Sequence, residues 1–167
     1  RLTGLTVVAT ASRPETRQWC LDLGAHHVID HSKKLAEGLK AIGMPEVEYI
    51  FSTNATATHY PEYADVIAPQ GKVGLIESGT DVIDARVLMP KSASLHWELM
   101  FTRPRFGTAD MIAQHKLLTE VSALVDAGVI RTTHTETLGP INAANLRKAH
   151  ALIESGKTRG KLVLEGF

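Results

Sequence analysis

VVATASRPET, from Val7 to Thr16, reads as a buried strand that stops at a serine and an arginine, where a proline opens a helix. Leu5 to Thr10 is almost continuously apolar and rich in β-branched residues, the pattern of a strand covered on both faces. Pro14 suits a first helical position, because its missing N–H is one that a helix leaves unpaired there. Trp19, Cys20 and Leu23 then recur at helical spacing until Gly24 stops the helix.

The same alternation continues along the chain. HHVID (26–30) is a second strand, and Leu35, Leu39 and Ile42 mark a helix closed by Gly43 and Pro45. EYIFST (48–53) is a strand. Tyr60, Tyr63, Ala64, Ile67 and Ala68 mark a helix that Pro69 and Gly71 end. KVGLIE (72–77) and SLHWELMF (94–101) are further strands. A long helix over 108–127 is expected to carry Met111, Leu118, Val121 and Val125 inward. VIRTT (129–133), a helix over 142–156 and KLVLE (161–165) complete the chain. Strands alternating with helices at this pace require crossover connections, hence a parallel sheet with helices on both faces. The expected class is α/β, doubly wound and Rossmann-like.

The 167 residues suffice for one domain with a real core. Formal charge is zero, from 18 Lys plus Arg against 18 Asp plus Glu, so neither a nucleic-acid nor a membrane partner is expected. Cys20 is the single cysteine, which excludes an internal disulfide and a multi-cysteine zinc site. No apolar run approaches a membrane span and no leader is visible, so a cytoplasmic setting is expected. RLTG, at the start, reads as the end of a helix with Gly4 as its stop. This implies a piece of a longer chain; a short processed protein is the alternative.

In open parallel sheets, ligands bind beyond the carboxyl ends of the strands. Those ends are Ala11-Ser12-Arg13, Asp30-His31, Ser52-Thr53-Asn54, Ile76-Glu77-Ser78 and Phe101-Thr102-Arg103. In dinucleotide folds the end of the second strand meets the adenine ribose; an acid there suits the 2′-hydroxyl of NAD, an arginine the 2′-phosphate of NADP. Ser12 and Arg13 offer a hydroxyl and a cationic fork, with no acid until Glu15. Read this way, Val7–Thr10 is the second strand. The first strand and its glycine-rich turn, absent from these residues, belong upstream. A solvated turn is the alternative for Ser12-Arg13. His26, His27 and His31 cluster among eight histidines, but on a short strand they point in different directions, and no metal site is expected.

VVATASRPET, LGAHHVIDH, the unit from YIFSTNAT to GKVGLIE, HWELMFTRP, HKLLTEVSALVDAGVI and AHALIESGKTRGKLVLEGF together resemble the zinc-type alcohol dehydrogenase-like, quinone-oxidoreductase branch of the medium-chain dehydrogenase/reductase family. The resemblance covers essentially the whole chain in unbroken order. It implies an NADPH-dependent oxidoreductase made of a GroES-like catalytic domain, absent here, and a Rossmann domain. Residues 1–128 would be most of the Rossmann domain, and 129–167 would return to pack on the catalytic domain.

Carried over by position, Ser12 and Arg13 fall at the NADPH 2′-phosphate. His31 stands where relatives often have a tyrosine near that phosphate. Thr53, Asn54, Ile76 and Glu77 border the cofactor, Phe101 and Thr102 lie toward the nicotinamide, and Lys161 is a further candidate. The resemblance also implies a homodimer through the edge strand Ser94–Phe101 and a small carbonyl or quinone substrate. Zinc is in the family's name, but any ligands would lie outside this chain. No catalytic acid or base is expected among these residues, since hydride chemistry belongs to the cofactor. The alternative is a non-catalytic Rossmann-like module for association or ligand sensing. A methyltransferase fits less well, since no terminal antiparallel hairpin is visible.

Overall fold

The computed structural model describes residues 2–77, 79 and 82–166; Arg1, Ser78 and Phe167, which figure in the motifs above, lie outside them. The chain divides into two compact units, residues 1–113 and 114–167. The first contains β1 (Val8–Thr10), α1 (Pro14–Asp22), β2 (His27–Ile29), α2 (Leu35–Ala41), β3 (Val47–Ser52), α3 (Thr56–Val66) and β4 (Ile67–Leu75). A 3-10 segment (Ala85–Lys91), β5 (Ser94–Trp97) and α4 (Thr102–Phe106) follow. α5 (Ala113–Asp126) begins at the division, and the second unit continues with β6 (His134–Thr137), α6 (Ala143–Glu154) and β7 (Lys161–Val163).

Among the described residues every strand pairing is parallel: β1 with β2, β3 with β4 and β4 with β5, and, in the second unit, β6 with β7. This is the α/β architecture the alternation requires. β1 and β3 are each paired on one side only among the described residues. In the 3-2-1-4-5-6 strand order of dinucleotide folds, the first strand separates the second from the fourth. Among the described residues the β1-β2 ladder and the β3-β4-β5 ladder do not pair with one another.

The core of the first unit gathers Ile29, Leu35, Leu39, Tyr60, Tyr63, Val66, Ile67, Val73, Leu75 and Leu88, with Val8 packed against it. Ile67, Val73 and Leu75 of β4 are wholly out of water. Each such burial is worth about 1.5–3 kcal/mol relative to exposure. The spacing of Leu35 and Leu39 places both on the buried side of α2. The Leu35 N–H at the helix start donates to the Glu62 carboxylate at 2.7 Å. At the amino end of β4, the Lys91 ammonium donates to the Ile67 carbonyl at 2.6 Å and to Glu46 at 2.8 Å.

Several expected boundaries move. α3 ends at Val66 rather than Ala68, and β4 starts at once with Ile67. The fully buried Ile67 draws that residue into the sheet, and Pro69-Gln70-Gly71 is absorbed as an irregularity. There Gln70 takes a left-handed φ of 62°. β5 stops at Trp97 instead of Phe101; Met100 and Phe101 lead into α4, which the sequence reading placed in strand and loop. VIRTT forms no strand, and pairing starts only at His134. α5 begins at Ala113, so Met111 precedes it, and it buries no residue. Leu118 and Val121 stay exposed, because periodicity marks an apolar stripe without specifying what covers it.

Gly71 is a close approach. A Cβ there would lie 2.6 Å from the Ile67 side chain and 2.8 Å from the Ala68 carbonyl oxygen. Gly71→Ala is predicted to lower the stability of the chain by about 1–3 kcal/mol, read as an earlier urea midpoint. An unchanged midpoint contradicts this packing.

Candidate functional site

Ser12, Arg13, His31, Thr53, Asn54, Ile76 and Glu77 sit where parallel strands of the first unit end. The Ala11 N–H donates to the Ile29 carbonyl at 2.9 Å, so the ends of β1 and β2 lie side by side. This places Ser12-Arg13 beside Asp30-His31. The Ile76 N–H donates to the Ser52 carbonyl at 3.3 Å, which does the same for Thr53-Asn54 and Ile76-Glu77. The rings of His31 and His59 meet edge to face, 5.9 Å between centroids, joining the end of β2 to α3.

Arg13 is the residue before α1, with extended backbone, and Pro14 fixes the first helical φ behind it. Its side chain is 40% exposed, and the guanidinium pairs with Glu15 at 3.7 Å. Ser12 is exposed. The other carboxylate at these strand ends, Asp30, accepts from the Ser32 N–H at 2.9 Å and the Ser32 hydroxyl at 2.7 Å. Those hydrogen bonds hold its carboxyl below the usual range. The donor set left at the end of β1 is a hydroxyl and a planar cation, which matches a phosphate.

Thr53 and Asn54 are exposed after β3, ahead of Ala55, which is left-handed at φ 53° and ψ 35°. Ile76 is exposed. Glu77 accepts the Thr56 N–H at 2.8 Å, satisfying a donor that the start of α3 leaves unpaired. Hydrogen bonds from the Thr56 backbone and side chain hold the Glu77 carboxyl below its ordinary value. Behind it, the Ser52 and Thr56 hydroxyls are 2.8 Å apart, and the Tyr63 hydroxyl donates to Ser52 Oγ at 2.8 Å. Burial pushes the Tyr63 hydroxyl pKa up. Phe101 and Thr102, read from sequence as the end of a strand, lie at the start of α4, and both are exposed. Lys161 belongs to the second unit, where its N–H donates to the Thr133 carbonyl at 2.8 Å at the start of β7.

Sequence reasoning missed His59, Thr56 and Tyr63 as site residues, and Ser52 went unmarked within its strand end. The tyrosine fitted a helical apolar stripe, and its hydroxyl has no sequence signature. Ser52 and Thr56 flank a strand-to-helix turn, the one arrangement that hints at a hydroxyl pair. Among the described residues no group of three or more His, Cys, Asp or Glu converges, so they supply no zinc donor set. None of the described helices is long and apolar enough to cross a membrane.

A family model described as zinc-binding dehydrogenase matches residues 23–164. The chain therefore belongs to that family. It is 37% identical over 161 residues to a zinc-type alcohol dehydrogenase-like protein of Staphylococcus aureus strain MSSA476, a match covering 96% of this chain and 48% of the relative. A Staphylococcus epidermidis protein of the same description is 33% identical, again over 96% of this chain and 48% of the relative. The chain thus spans about half the length of the curated relatives it matches. A crystal structure from Rhizobium etli CFN 42, described as a zinc-dependent alcohol dehydrogenase protein, is 57% identical with TM-score 0.93, covering 99% of this chain and 48% of that one. A quinone oxidoreductase of Pseudomonas syringae pv. tomato DC3000 shares the fold, with TM-score 0.78 and 18% identity over 98% of this chain and 50% of that one.

The Glu77 bond has a pH signature. A carboxyl whose pKa is lowered by folding contributes stability above its unfolded value, and that contribution is lost as pH falls through the folded one. Glu77→Gln is predicted to flatten the fall in stability below the ordinary Glu value of about pH 4.3, read from urea melts across pH. Parallel curves for variant and parent would contradict it.

Proposed function

We propose that this chain is the cofactor-binding portion of an NADPH-dependent oxidoreductase that reduces a small carbonyl, quinone or enone. The observation that carries the reading is the pairing of an exposed Ser12 hydroxyl with the Arg13 guanidinium at the carboxyl end of β1, in a chain of the zinc-binding dehydrogenase family. The hydride chemistry is what a nicotinamide supplies when bound; the residues of this chain bind and orient it. Arg13 takes the 2′-phosphate oxygens and Ser12 donates its hydroxyl to them. His31, supported by His59, stands beside that pair. Thr53, Asn54, Ile76 and Glu77 form the border at β3 and β4, and Phe101 and Thr102 lie toward the nicotinamide. Residues 129–167 pack back on a GroES-like catalytic domain, which supplies most of the substrate pocket.

The Arg13–Glu15 pair means that the phosphate must draw Arg13 away from an existing counter-ion. An exposed pair of this kind is worth at most about 1 kcal/mol, less than the ~1.5–3 kcal/mol of a hydrogen bond to a charged group. The phosphate therefore wins. In the protein that carries this chain, Arg13→Ala is predicted to weaken NADPH binding by on the order of 1.5–3 kcal/mol while leaving NADH nearly unaffected. Glu15→Gln is predicted to tighten NADPH binding alone. Fluorescence titration with each cofactor reads both, and equal parental affinity for NADPH and NADH would sink the reading.

The protein also pairs with a second copy through β5. The support is the unpaired edge of that strand among the described residues, with exposed Trp97, Leu99, Met100 and Phe101 at and beyond its end. Trp97→Lys is predicted to shift sedimentation from dimer toward monomer. A parent that sediments as a monomer at micromolar concentration contradicts the pairing.

A further inference from the structure

Ala55 follows directly on Thr53 and Asn54, and its left-handed backbone is unfavourable for a residue carrying a Cβ. Left to itself, that peptide would relax toward the right-handed region and re-aim both preceding side chains. Three hydrogen bonds oppose this: Thr56 N–H to Glu77 Oε1, the Ser52–Thr56 hydroxyl pair, and Tyr63 hydroxyl to Ser52 Oγ, each at 2.8 Å. Ser52, Thr56 and Tyr63 are at most 5% exposed, so water offers these hydroxyls no substitute partners. The network links the ends of β3 and β4 to the start of α3. A backbone conformation of this kind persists only where the surroundings over-determine it.

We propose that Glu77, Thr56, Ser52 and Tyr63 are positioning residues that hold the Thr53–Asn54–Ala55 turn in the shape the cofactor meets. Glu77 acts through Thr56 rather than on the ligand. The proposal rests on the reading of Thr53 and Asn54 as cofactor contacts, and it changes the part Glu77 plays in that reading. The strain at Ala55 provides the test. If the network exists to hold a left-handed residue, glycine at that position, which adopts the conformation without penalty, makes the network less necessary.

The experiment uses the protein that carries this chain, with NADPH as probe, and follows both cofactor affinity and amide hydrogen exchange at Thr56. Glu77→Ala is expected to raise the dissociation constant about tenfold and to speed exchange at the Thr56 amide. Glu77→Gln, which keeps an acceptor oxygen, is expected to stay within about threefold of the parent. Ala55→Gly added to Glu77→Ala is expected to recover most of the lost affinity. Loss that Ala55→Gly does not recover, with Glu77→Gln as damaging as Glu77→Ala, overturns the proposal in favour of direct contact. A lower melting temperature with unchanged affinity overturns it in favour of a purely structural bond. Failure of the underlying reading looks different: the parent binds no NADPH, or Asn54→Ala and Thr53→Ala leave its affinity untouched while Thr56 exchange still responds to Glu77→Ala. Either result overturns the positioning role along with that reading.

Discussion

The first unit depends on the inward side chains of β4 being out of water. Ile67, Val73 and Leu75 carry no exposed surface, and β3 and β5 pair with the strand on either side. This burial leaves little freedom in where the neighbouring strands end. Ser52 and Ile76 are joined by the ladder itself, and α3 must begin within a few residues of both. The candidate site follows from this constraint. Its residues from Ser12 to Glu77 are those that parallel strands of the first unit deliver to their ends when their inward side chains are committed to the core.

The parallel α/β order of the first unit was legible because most of its strands hold a short apolar run and its early helices have their own stop signals, whereas β6, HTET, is wholly polar and was missed. Pro14 and Gly24 bound α1 closely, and Leu35 and Leu39 mark the buried face of α2 without ambiguity. What the sequence misplaced has a common cause. At Pro69-Gln70-Gly71 three turn-forming residues sit inside a strand, because burying Ile67 outweighs their local preference. At Trp97 an apolar run continues past the end of pairing, since composition reports hydrophobicity and not hydrogen-bond partners. On α5 the apolar stripe is real but exposed.

The site was legible to the same degree. Ser12, Arg13, Thr53 and Asn54 stand at strand ends because strand ends can be read from pattern. The commitments of these residues and their neighbours cannot. Nothing in the spacing shows that Glu15 draws on Arg13, that Asp30 is turned onto Ser32, or that Glu77 satisfies the start of α3. These are an ion pair and hydrogen bonds, short- and long-range, decided by packing. They divide the strand-end residues into exposed ones, Ser12, Thr53 and Asn54, and carboxylates already committed to hydrogen bonds, Asp30 and Glu77. A hydroxyl and a guanidinium thus follow β1, and a left-handed turn follows β3.

A crystal structure of the protein carrying this chain, grown with NADP bound, tests the central claim most directly. The account predicts the 2′-phosphate oxygens within hydrogen-bond distance of the Ser12 hydroxyl and the Arg13 guanidinium, with Arg13 drawn off Glu15 and Glu77 still on Thr56. A 2′-phosphate bound elsewhere, with Arg13 left paired to Glu15, would contradict it.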